Sequence, residues 1–108
     1  MPLDTDELFR VLADPTRRRI LDLLSEKESL AVNDIGKAFP ELVTSGISKH
    51  LMVLRAADLV TATRDGRHQY YSVNAKALEE SLAPWLSKYE RYWTSALERL
   101  RDASERPA

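Results

Sequence analysis

Between Thr44 and Ala57 the chain reads TSGISKHLMVLRAA, and its side chains separate by chemistry when wound at helical pitch. Ile47, Leu51 and Leu54 stand at i, i+4 and i+7 and form one apolar stripe. Thr44, Ser45, Ser48, Lys49 and Arg55 share the opposite arc, which carries hydroxyls and cations and no acid. Short donors on one face suit a surface rich in acceptors. The major groove of double-stranded DNA is such a surface, with acceptors on its base edges and phosphates along its walls. Most amphipathic helices touch only water, so the flanking segments must decide between the two readings. Gly46 costs this helix about 1 kcal/mol of propensity relative to Ala; either it lets the backbone approach DNA closely or it is a plain penalty. His50, at the edge of the apolar stripe, fits a hydrogen-bonded structural role and a DNA contact equally well.

The flanks favour DNA. Ser29–Val32 is a short extended stretch leading into a helix over about Asn33–Phe39, and Pro40–Val43 then breaks the chain. Two short helices joined by a tight turn, the second bearing the donor face, make a helix-turn-helix. After Asp58 the period changes from 3.6 to 2. Residues 59–64 and 67–73 are rich in β-branched and aromatic side chains, and Asp65-Gly66 between them is a strong hairpin signal. The pattern predicts a two-stranded ribbon with Arg64, Arg67 and His68 at its tip, the place of a wing. Cations there can reach a phosphate or the adjacent minor groove. For Arg64 and Arg67 this outweighs a merely solubilising turn; for His68 the two readings balance.

The remaining elements hold this unit. Residues 4–13 form a helix capped by Asp4 or Thr5, with Leu8, Val11 and Leu12 on its apolar face. Asp14-Pro15 places an N-cap before a proline whose missing N–H costs nothing, and a second helix runs from Pro15 to about Lys27 with Ile20, Leu23 and Leu24 facing inward. Of Arg17, Arg18 and Arg19, at least two belong to a solvated, ion-paired face, and Arg17 is the best candidate for a phosphate contact. Asn74 caps a helix over Ala75–Leu82, and Pro84 either starts a new helix or kinks the old one. From Pro84 to about Ala103, Trp85, Tyr89, Tyr92 and Ala96 line one stripe, widened by Leu86, Trp93, Leu97 and Leu100, with Ser104–Ala108 as a frayed tail. Four of the eight aromatic residues fall within Trp85–Trp93. So small a domain has little room to bury this stripe, and a helix from a second copy is the economical cover.

Composition excludes several classes. The 108 residues suffice for one domain, with 44% hydrophobic and 31% charged residues. No apolar run is long enough to span a membrane, and the acidic start MPLDTDELF lacks a secretory leader, so the expected compartment is the cytoplasm. The absence of cysteine removes disulfides, thiolate metal sites and a cysteine nucleophile. The net charge is only −1, but residues 1–43 carry a balance of −3 and residues 44–73 a balance of +2. The one cationic third contains the donor-faced helix, and acidic flanks confine contact to that face. The fold class is mainly α with a small β-hairpin: a single winged helix-turn-helix domain of five to six helices. Its parts are N-terminal helices (4–43), recognition helix (44–57), wing (59–73) and C-terminal helices (74–103).

In LADPTRRRILDLL (Leu12–Leu24), SGISKHLMVLRAADLV (Ser45–Val60) and RDGRHQYYSV (Arg64–Val73), the chain resembles the ArsR/SmtB family of bacterial repressors over roughly residues 5–100. Each segment alone is weak; the three in order are specific. The resemblance implies a homodimer joined through its first and last helices, Leu8 and the Trp85–Leu100 stripe included, bound to an imperfect palindrome near a promoter. It places the base- and phosphate-contacting helix at Thr44–Leu54, with Ser45, Ser48, Lys49 and His50 in its polar positions, and the wing at Arg64–Tyr70. The closing PWLSKYERYW resembles a subgroup without obvious metal sites. Three departures stand out: Val43 occupies the usual Ser/Thr cap, so that Thr44 is expected to cap one residue later; Gly46 lies inside the helix; and Met52 stands where a basic residue is common. The family's cysteine-pair metal site would fall near Leu30–Asp34, which reads LAVND, and residues 75–108 contain no His for the alternative site. No metal and no cofactor is therefore expected.

These readings point to a dimeric, sequence-specific DNA-binding repressor. A second class is a sensor whose Trp85–Trp93 cluster lines a pocket for an unknown small-molecule effector. A third, a winged helix used only for protein contacts, would need no cationic face. An enzyme is the weakest reading, since no nucleophile-base pair, phosphate loop or isolated acid pair is present.

Overall fold

The computed structural model describes residues 3–105. These form six α-helices and three short strands: α1 (Thr5–Leu12), α2 (Pro15–Glu26), β1 (Leu30–Ala31), α3 (Val32–Lys37), α4 (Thr44–Ala56), β2 (Val60–Asp65), β3 (His68–Val73), α5 (Ala75–Leu86) and α6 (Glu90–Glu105), with a 3-10 turn at Ser87–Tyr89 before α6. The winged helix-turn-helix predicted from the sequence is present.

Local chemistry sets the element ends. Asp4 caps α1, its carboxylate accepting from the Glu7 amide at 2.8 Å. Thr5, the other candidate cap, instead donates its hydroxyl to the Ser81 carbonyl at 3.1 Å and so ties α1 to α5. Asp14 caps α2 through the amides of Thr16 and Arg17 at 2.7 and 3.3 Å, with Pro15 at the first helical position. Burial disfavours the Asp14 carboxylate, but those two amides outweigh it, and the positive charges of His50 and Arg17 add to them. The group is held below its ordinary value of 3.8.

The core lies where α4 crosses the other helices. Ile47, Leu51 and Leu54 are fully buried together with Leu8, Ile20, Leu24, Ile35 and Phe39. Burying a Leu or Ile side chain stabilises by about 1.5–3 kcal/mol, so this cluster holds α4 at a fixed rotation. The α4 N-terminus itself is weak: Val43 is the N-cap residue and makes no side-chain cap bond. Thr44 is already helical, contrary to the expectation that it caps. Leu42 and Ile47, at the positions of a hydrophobic staple, both join the core and fix the entry of the chain instead.

The helix ends in a Schellman turn. The amides of Asp58 and Leu59 donate to the carbonyls of Arg55 and Leu54, each at 2.9 Å, and Asp58 takes φ +63°. Leu54 and Leu59, at the two ends of that turn, are both buried. The chain is thereby aimed into β2, and Asn74 closes the other end of the wing. Its amide side chain donates to the Asp58 carbonyl at 2.9 Å while its oxygen caps α5 at the Ala77 amide.

Three features differ from the sequence expectation. The wing is not a two-stranded ribbon: β1 adds a third strand, giving the antiparallel order β1-β3-β2, with Leu30 opposite Tyr71 and Ala31 opposite Tyr70. Within the hairpin, Asp65 pairs with His68, so the turn residues are Gly66 and Arg67 rather than Asp65 and Gly66. Gly66 at φ +64° in the first turn position fits a type II′ turn. Of the two alternatives for Pro84, a new helix is excluded: it lies inside α5, which runs past the expected end at Leu82 to Leu86, and the break comes at Ser87–Tyr89. At the far end, α6 continues through Ser104 and Glu105, and Arg106–Ala108 lie outside the described residues.

The Schellman turn yields a test. Asp58 adopts a left-handed backbone that glycine takes without Cβ strain, so Asp58→Gly should raise stability by about 0.5–1 kcal/mol. Chemical denaturation should show a higher midpoint with an unchanged slope. An unchanged or lower midpoint would mean that the Asp58 side chain compensates its own strain.

Candidate nucleic-acid interface

With its apolar edge locked in the core, α4 has one orientation left for its donors. Thr44, Ser45 and Lys49 are exposed, Ser48 and Gly46 are half-buried, and Arg55 is exposed in the last turn of the helix. The face carries no acid. The wing places Arg64, Arg67 and His68 in solvent at its tip, where the Arg64 Nε donates to the Gly66 carbonyl at 3.3 Å and stiffens the turn. A groove of about 360 Å³ lined by Asn33, Arg64, Arg67, His68 and Gln69 separates this tip from the start of α3.

None of these cations is held in a salt bridge. Among the described residues the four salt bridges are Arg17–Asp14, Arg19–Glu41, Lys37–Asp34 and Lys76–Glu80. Lys49, Arg55, Arg64 and Arg67 take part in none of them. Charges left unpaired on one exposed face are free to neutralise phosphates, giving up only solvent counterions.

Arg17 does not belong to this set. Its side chain is only 17% exposed, and its guanidinium donates to the Val11 carbonyl at 2.6 Å and the Arg10 carbonyl at 3.3 Å. Arg18 donates likewise to the Leu12 carbonyl. The Val11 and Leu12 carbonyls at the end of α1, and the Arg10 carbonyl that also accepts from the Ala13 amide, are thus capped by arginines of α2. The expected phosphate contact of Arg17 is disfavoured by this placement, with its Nε and one terminal nitrogen engaged at the α1–α2 corner. Arg19 is also engaged, paired with Glu41 at 3.2 Å and stacked over the Phe39 ring at 4.7 Å, which pins the turn ahead of α4.

His50 is half-buried, and its proximity helps to lower the pKa of the Asp14 carboxylate. Among the described residues no group of three or more His, Cys, Asp or Glu side chains comes together as a metal ion would require. Among the described residues no helix is long and apolar enough to cross a membrane.

A second surface is apolar. Trp85, Tyr89, Tyr92, Trp93, Leu97 and Leu100 are all exposed, Leu97 and Leu100 by 64% and 68%, and Ala96 is half-buried among them. Among the described residues of α6 none is buried, and its substantial contact is with the 3-10 turn before it. The radius of gyration is 16.9 Å, against about 13 Å for a compact chain of this length. Between α5 and α6 lies an open groove of about 810 Å³, lined chiefly by Leu78, Leu82, Leu86, Trp93 and Leu97. Leu8, grouped with this surface on the sequence, is 0% exposed and belongs to the monomer's own core. The α1 residue that does reach the surface is Phe9, whose ring meets Trp85 edge-on at 5.4 Å. Period alone could not separate the two, because both neighbours flank the apolar edge of a short helix.

Comparisons with known proteins agree with this arrangement. A helix-turn-helix domain model matches residues 12–62. The chain is 38% identical to the transcriptional repressor SdpR of Bacillus subtilis (strain 168) over 77 residues, 71% of this chain and 83% of that protein. The crystal structure of a possible transcriptional regulator for arsenical resistance is similar at a TM-score of 0.67 with 36% identity, covering 86% of this chain and 96% of that one. An ArsR-like transcriptional regulator from Rhodococcus sp. RHA1 superposes at a TM-score of 0.69 with 25% identity, covering 95% and 94%.

Gly46 separates fold from function at this face. A Cβ there would meet only Val43 Cγ2, at an unstrained 3.9 Å, so nothing within the chain demands glycine. Gly46→Ala should stabilise the protein by about 0.5–1 kcal/mol. If the backbone is used at close range, the same change should weaken binding to specific DNA. Denaturation and binding titrations on one preparation measure both; a variant that is more stable and binds equally well would make Gly46 a plain helix penalty.

Proposed function

The chain belongs to the ArsR/SmtB family of helix-turn-helix transcriptional regulators, and from that premise we propose that it acts as a homodimeric repressor at an inverted-repeat operator. The carrying observation is the acid-free donor face of α4 beside a wing tip whose cations have no salt-bridge partners. Thr44, Ser45, Ser48 and Lys49 read base edges and adjacent phosphates. Arg64 and Arg67 hold the backbone or the minor groove, with His68 beside them. Binding energy comes largely from counterion release, so affinity falls steeply with salt.

The exposed stripe of α6 and the groove between α5 and α6 receive the same surfaces of a second copy. Apolar side chains this exposed along one regular stripe are better explained by a seam than by solvent. The pair presents two copies of α4 to one side of a duplex, about 34 Å apart, one helical turn of DNA. An effector reading puts a small molecule in the same groove. The open lining of Leu78, Leu82, Leu86, Trp93 and Leu97 is what favours it, and occupancy there would change the seam and so the spacing of the two recognition helices.

Two variants separate the parts. Lys49→Ala should remain dimeric and lose roughly tenfold in specific affinity; unchanged binding would remove α4 from the reading. The double change Leu97→Glu and Leu100→Glu alters no core residue and should leave a folded monomer by sedimentation, with operator binding lost at concentrations where the parent saturates. A double variant that stays paired would place the seam elsewhere.

A further inference from the structure

Met52 is 70% exposed on α4 and belongs neither to the core nor to the hydrophobic residues packed against it. It follows Ser48 by four residues and Lys49 by three, so it is the helical neighbour of both. At 100° per residue it falls between Ser48 and Ser45, inside the donor arc and away from the Ile47–Leu51–Leu54 stripe. Single exposed apolar residues are common on protein surfaces. This one stands in the middle of the face that the proposed function presses into a groove.

The chemistry of that groove limits what a thioether chain can meet. Base edges in the major groove present N7, O6 and O4 acceptors and N4 and N6 donors, and an apolar side chain set against them displaces water without replacing its hydrogen bonds. The single apolar feature the groove offers is the 5-methyl group of thymine. A long, unbranched and polarisable side chain can follow that methyl without strain on the helix. The hydroxyls and ammonium on either side, by contrast, select acceptors.

We propose that Met52 is a specificity-determining residue that reads a thymine methyl in each operator half-site. This rests on the reading of α4 as the recognition helix, and the experiment keeps the two apart. Duplexes are first selected from a random library with the full-length protein. The best duplex is then remade with each thymine, one at a time, replaced by deoxyuridine, which deletes the methyl and keeps the pairing.

One symmetric pair of positions should respond, losing roughly fourfold in affinity for each methyl removed. Met52→Ala should lose a similar factor on the thymine duplex and become indifferent to deoxyuridine at those positions. Met52→Gln keeps the length of the side chain but carries an amide suited to adenine, so a repeat selection should exchange thymine for adenine there. Indifference of the parent protein to every deoxyuridine, or continued sensitivity of Met52→Ala at the same positions, would overturn the assignment while leaving α4 as the DNA-reading helix. A library from which no duplex is enriched would instead overturn the DNA-binding reading beneath it.

Discussion

The burial of one edge of α4 governs the rest of the molecule. Ile47, Leu51 and Leu54 lie at 1%, 1% and 0% exposure against residues from α1, α2 and α3. At about 1.5–3 kcal/mol for each side chain buried, they outweigh what the same helix gives up elsewhere. Its N-cap position makes no side-chain bond, a loss of about 1 kcal/mol. Gly46 and the run of short hydroxyl residues lower its propensity further. A helix that is weak by itself and strong in its setting has no freedom to rotate. Its donors therefore point one way, and a surface of acceptors can be met without the entropy loss of ordering the helix first.

The same burial explains which parts were legible in the sequence. The apolar stripe of α4, the Asp14-Pro15 boundary and the switch from period 3.6 to period 2 after Asp58 are local patterns, and each became the element it implied. Two misses are local shifts of one residue, at the Thr44 cap and at the hairpin turn; the others depend on distant parts of the chain. Strand β1 has two residues, too few for any period, and exists because β3 offers it an open edge. Arg17 was visible as a charge, whereas the α1 carbonyls that take up its donors come into reach only once the α1–α2 corner is folded. Leu8 and Phe9 are adjacent and both apolar, and only the packed helix shows the first facing the core and the second facing Trp85. Pro84 removes one helical hydrogen bond but not the helix, and the chain bends where the 3-10 turn can absorb the change. Of the candidate interface, residue types and their order along α4 and the wing were readable. The engagement of the α2 arginines was not.

That engagement bears on how a nearly neutral protein addresses a polyanion. Arg17, Arg18 and Arg19 outnumber the cations of α4, yet each is tied to a carbonyl, a carboxylate or both. Counting charge along the chain would spread affinity over α2 and α4 alike. Within the helix-turn-helix and its wing, counting only cations outside salt bridges leaves Lys49, Arg55, Arg64 and Arg67. The acids act in the complementary sense. Asp14 and Glu41 neutralise the arginines around the helix-turn-helix without placing any negative charge on its donor face.

The apolar arm joins the other half of the mechanism to this face. Helix α5 is bound to α1 through the Thr5 hydroxyl and the Ser81 carbonyl, and the start of the arm through the Phe9–Trp85 edge contact. Helix α1 is in turn fixed to α2 by the arginine-capped corner, and α2 packs on α4. Each of these links is a hydrogen bond, an aromatic contact or a buried stripe, and none is a long linker. A surface that seats on the end of α5, at Trp85, is therefore linked to α4 through packed elements. For the second copy proposed to seat there, that link bears on the distance between the two recognition helices.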